Sequence, residues 1–71
     1  MKDFFIHQSQ DSKILVGGVT SLVDFAIDKI VVRVKDGLIE INGKNLVIQR
    51  FDEDEITVIG KINGVATNVS R

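Results

Sequence analysis

From Lys29 to Arg50 the chain alternates apolar and polar residues with a period of two, and turn-forming dipeptides interrupt the alternation. Ile30, Val32 and Val34 alternate with Val31, Arg33 and Lys35; Ile39 and Ile41 alternate with Leu38 and Glu40; Leu46, Ile48 and Arg50 alternate with Val47, Gln49 and Phe51. Successive side chains point to opposite faces only in a strand, so the pattern predicts half-buried β-strands. Asp36-Gly37 and Asn42-Gly43 favour type I′ turns, whose twist matches flanking strands. Strands are expected near residues 13–17, 19–25, 29–35, 38–42, 45–51, 55–60 and 61–68. Residues 21–30 also fit helical spacing through Leu22, Val23, Ala26, Ile27 and Ile30, with Ser21 as a cap. The β-branched density on both sides favours strand there.

The fold class is therefore all-β: a small single-domain antiparallel meander or roll of about six or seven short strands. With 71 residues, two full sheets are too many, so a twisted open sheet or roll is expected rather than a sandwich. Residues 1–12, polar after Phe4-Phe5-Ile6, read as an N-terminal arm or tail with an apolar foot, and residues 13–71 as the domain. A chain this short buries only about 60% of its unfolded surface. Such domains often depend on a disulfide, a metal or a partner. Cysteine is absent and His7 is the single histidine, so either the core suffices or the protein associates, as a homo-oligomer or with another protein.

No apolar run approaches the ~20 residues of a membrane span, and Phe4–Ile6 is too short for a signal peptide. Cytoplasmic location without direct membrane insertion is the expectation. A net charge of −1 does not predict nucleic acid as a partner. A small β-barrel-like nucleic-acid-binding or regulatory module is the alternative reading, weakened by the absence of Trp and Tyr for stacking bases.

The charges are unevenly placed. Residues 29–50 carry five bases (Lys29, Arg33, Lys35, Lys44, Arg50) against Asp36 and Glu40, a net +3, and the four acids Asp52–Glu55 follow. The five bases are the candidate partner-binding face, with Arg33 and Lys35 expected across from Glu40. The acidic run reads as a solvated turn; a cation site is the alternative, without the spacing of an EF-hand. Gly18, Gly37, Gly43, Gly60 and Gly64 are expected to serve turns. Ser9, Ser12, Ser21 and Ser70 have only His7 as a candidate base, Asp24 and Asp28 lack a foreseeable cleft, and Gly17-Gly18 lacks the rest of a phosphate loop. No catalytic residue, cofactor or metal site is expected.

The order and spacing of these elements resemble a known family. A Gly-Val opening (Gly18-Val19), Phe25, the Ile30–Val34 strand, Gly37-Leu38-Ile39 with Ile41, Gly43 and Leu46 are followed by an acidic stretch and "ITVIGKI" with Gly60 and Ile62. Over about residues 14–66 the chain resembles the YabP/YqfC family of sporulation proteins from endospore-forming bacteria. That resemblance implies a small all-β protein made in the mother cell and linked to assembly of the spore envelope, cortex or coat. It implies no catalytic residue. It also suggests a partner that is another sporulation protein, membrane-anchored or not, on the mother-cell side of the forespore.

Overall fold

A computed structural model of the protein describes residues 4–9 and 12–69. The strands are β1 (Phe5–Ser9), β2 (Lys13–Gly17), β3 (Val19–Phe25), β4 (Lys29–Val34), β5 (Gly37–Asp52) and β6 (Glu55–Val69). They form one six-stranded sheet in the order β1-β2-β6-β5-β4-β3, with every neighbouring pair antiparallel. The expectation of an all-β antiparallel fold is borne out, and residues 19–25 are strand rather than helix. β3, β4, β5 and β6 are sequential neighbours, and β2 returns to lie beside β6.

Two expectations about the extent of the strands need correction. Residues 38–42 and 45–51 are one strand, β5, and residues 55–60 and 61–68 are likewise one strand, β6. Asn42-Gly43 is therefore not a turn, and Asn63-Gly64 lies inside β6, where Gly64 pairs with Asn42. The second correction concerns residues 5–9. Read as part of an arm, they form edge strand β1, in register with β2 from Phe5↔Gly17 to Ser9↔Lys13. The ring of Phe5 lies against Gly17, where any Cβ would collide with it. Phe4 and Ile6 pack against the core, so the apolar foot is where the sequence suggested.

At about 3.3 Å per residue, a straight strand of β5's length would reach roughly 50 Å. The longest dimension of the molecule is 31 Å, so β5 and β6 must bend. The bends fall where their pairing register shifts, between Asn42 and Gly43, Lys44 and Val47, and Ile48 and Arg50. Such irregularities locally bend a strand and increase its twist. Gly43 and Gly60 sit at the bends, not in turns. A Cβ on Gly43 would run into the Lys61 carbonyl oxygen, and Gly60 has φ +132° with Asn45 O only 2.6 Å from where its Cβ would be. Asn45 itself takes φ 53°, a left-handed conformation that asparagine tolerates better than most residues. Gly18 (φ 79°) makes the bend between β2 and β3. The hairpin between β4 and β5 turns through Lys35 and Asp36, with Val34 opposite Gly37. Neither turn residue has positive φ, so the turn is not the expected type I′.

The bends bring the two halves of the sheet together. In one half β4 pairs with Gly37–Asn42 of β5, and in the other β2 pairs with Glu55–Ile59 of β6. Their inward side chains make a single cluster: Ile14, Val16, Val19, Ile30, Val32, Val34, Ile39, Ile41, Leu46, Ile56, Val58 and Ile62. All are aliphatic, and no polar side chain is buried among the described residues. The alternation of Lys29–Val34 does what its period requires, with Ile30, Val32 and Val34 buried and Arg33 exposed. Backbone hydrogen bonds fasten the corners: Leu46 N–H donates to Ile27 C=O (2.7 Å), Gly43 N–H to Asp28 C=O (3.1 Å), Gly60 N–H to Ser12 C=O (3.1 Å) and Val19 N–H to Asp54 C=O (2.9 Å).

Candidate interaction surface

The five bases predicted as one face are divided by the bend. Lys29 and Arg33 lie on the outward side of β4, and Lys35 is in the adjoining turn. Lys44 sits at the bend of β5, while Arg50 belongs to the other half of the sheet, opposite Thr57. Arg33 faces Ser21 on β3 and Leu38 on β5, whereas Glu40 is opposite Val31 and Ala66. The Arg50 guanidinium lies 3.5 Å from Asp52 Oδ2, with both side chains largely in solvent, so the pair contributes little to stability.

Lys44 stands directly opposite Lys61 across the β5–β6 ladder, and both are exposed. Sequence reading missed this pairing because it depends on the register after the bend. Like charges directly opposed on a sheet are destabilising. Lys61→Glu should accordingly raise stability by about 0.2–1 kcal/mol in urea unfolding, a gain that shrinks in high salt. An unchanged midpoint at low salt would show the two ammonium groups are not close in solution.

The acidic run forms the hairpin tip. Asp52 ends β5, Glu55 begins β6, Glu53 adopts φ 52° between them, and the Asp54 carbonyl holds Val19. Among the described residues no group of three or more His, Cys, Asp or Glu side chains could hold a metal ion. His7 lies on β1 and Ser21 on β3, at opposite ends of the strand order, and Asp24 and Asp28 lie in β3 and the loop after it. A depression of about 390 Å³ lined by Leu15, Arg50, Asp52, Glu55 and Thr57 opens on the outer face of β2, β6 and β5. It brings one guanidinium, two carboxylates and a hydroxyl together over a leucine.

Apolar side chains are more informative than charges. Among the described residues the large hydrophobics left exposed are Phe5, Leu22, Val23, Phe25, Ile27, Val47 and Phe51. Phe5 covers Gly17; the others lie on β3, the loop after it and the second half of β5. Both segments are strand edges, since β3 ends the sheet and β4 pairs with β5 only as far as Asn42.

With this architecture in view, the comparison with family models is decisive. The YabP family model matches residues 5–69, from the first residue of β1 to the last of β6. The chain belongs to the YabP family. The match begins at β1, so the edge strand read from sequence as arm lies within the YabP homology. Comparison of this YabP-family chain with curated proteins gives no match, and comparison with solved structures gives none. No helix of the described residues is long and apolar enough to cross a membrane.

Proposed function

We propose that this YabP-family chain is a non-catalytic sporulation protein that acts by association, as a small β module in assembly of the spore envelope, cortex or coat. Its partner is another copy or another sporulation protein, membrane-anchored or free, on the mother-cell side of the forespore. Family membership supports the link to sporulation. The observation that carries the association reading is the concentration of exposed large apolar side chains at two strand edges. Free edges recruit further strands, and soluble monomers seldom expose contiguous apolar surface without a use for it.

Timing and place test the reading. A fluorescent fusion in the native host should appear only after engulfment begins, as a ring around the forespore on the mother-cell side. Diffuse signal in vegetative cells, or signal on the nucleoid, would reject the envelope role.

A further inference from the structure

β3 and the second half of β5 run in opposite directions, and the segments that carry them are tied at both ends. Val19 N–H reaches Asp54 C=O at one end, and Leu46 N–H reaches Ile27 C=O at the other. Between these ties no ladder joins them. The result is a seam between two segments, one carrying the exposed Leu22, Val23, Phe25 and Ile27 and the other the exposed Val47 and Phe51. Phe25 is 55% exposed and Ile27 70%, values at which an aromatic and a branched aliphatic gain little from the fold that carries them. The register places Leu22 opposite Val32, Phe25 opposite Ile30 and Phe51 opposite Ile56. Those three partners are fully buried, so the seam is where the core reaches the surface.

We propose that this seam holds an extended segment of a partner protein in which apolar residues alternate with Lys or Arg. The inference rests on the association reading above and names the surface and the chemistry of the partner. An extended occupant follows from the backbone: no described strand pairs with the outer edge of Val47–Asp52, which leaves ladder positions open to an added strand. β3 is interrupted by two register shifts and Val47–Asp52 by one, between Ile48 and Arg50, so β5 supplies the ladder and β3 the apolar wall. Basic character follows from the rim. Residues 19–28 and 46–54 carry five acids (Asp24, Asp28, Asp52, Glu53, Asp54) against Arg50 alone, a net −4. Complementary charge steers encounter and excludes wrong partners, and the same rim repels an anionic membrane. A second copy does not supply the segment. The run in this chain that alternates bases with apolar residues, Lys29–Lys35, is β4 and its turn, and β4 is already paired on both edges.

The test uses the full chain and a fluorescein-labelled octapeptide of alternating Lys and Val, titrated by anisotropy at physiological salt. Saturable binding is expected, with hydrogen exchange slowed at Val47–Asp52. Phe25→Ser with Ile27→Ser should weaken binding at least tenfold, as should Asp24→Lys with Asp28→Lys, which serves if the first variant folds poorly. Arg33→Glu with Lys35→Glu, outside the seam, should leave affinity within twofold. Equal binding of a Glu–Val octapeptide, no saturable binding, or full affinity in the Phe25/Ile27 variant would overturn the proposal. So would a concentration-dependent dimer lost in that variant, which would assign the seam to a second copy. The titration needs no sporulating cell, so its failure leaves the sporulation role standing, and a diffuse vegetative signal would reject that role without altering the titration.

Discussion

Gly60→Ala should cost about 3 kcal/mol or more, a large share of the ~4–10 kcal/mol expected for a domain of this length. Two costs coincide. The backbone there has φ +132°, a region essentially closed to residues with a Cβ, where strain is about 1–3 kcal/mol. The added methyl would also meet Asn45 O at 2.6 Å and Leu46 Cα at 3.0 Å. Both obstacles are backbone of the facing strand, so relief means moving the bend itself. Gly64→Ala is the matched control. It lies in the same strand, nothing stands within 4 Å of its new Cβ, and its effect should stay within about 1 kcal/mol of zero. Urea unfolding followed by circular dichroism decides the matter. Similar midpoints for the two variants would show that β6 does not bend at Gly60 as described.

Ile39→Ala should lose about 2–5 kcal/mol, the range for removing most of a buried aliphatic side chain. Ile39 is fully buried, between Val32 on β4 and Thr67 on β6. Its neighbours hang from a sheet clamped at four corner hydrogen bonds, so collapse into the vacated space is restricted and the cavity persists. In a domain this small, about 3 kcal/mol corresponds to a drop of roughly 12 °C or more in Tm. Val47→Ala, at a position 51% exposed, removes two methyl-sized groups from the surface and should change Tm by no more than a few degrees. A drop as small for Ile39→Ala would mean the two halves do not share one core.

Much of this was legible in the residues, for reasons that are local. Alternation in Lys29–Val34 and Leu38–Ile41 sorts side chains onto two faces whatever lies beyond, so Ile30, Val32, Val34, Ile39 and Ile41 could be assigned to the core. Asn42-Gly43 shows where local reading stops. The dipeptide suits a tight turn, yet Gly43 is kept for close approach to the Lys61 carbonyl across the ladder. A glycine needed for contact and one needed for a turn leave the same letter. β1 was missed because Phe5–Ser9 becomes regular only when β2 offers its edge, and Phe5 finds its place over Gly17. The candidate basic face failed to stay together for the same reason, since a bend between Lys44 and Arg50 sends them to different halves of the sheet.

The sequence by itself determined the strand character, the inward aliphatic residues between Lys29 and Ile41 and the family pattern, because each is written in spacing along one strand. Tertiary structure alone decided that two predicted pairs of strands are two long bent ones, that Lys44 stands opposite Lys61, and that the segments carrying Phe25 and Ile27 and carrying Val47 and Phe51 are tied together at their ends. Those facts depend on register between distant segments and on where β5 and β6 fold over. Nothing in the local alternation distinguishes a strand that turns back from one that bends and continues.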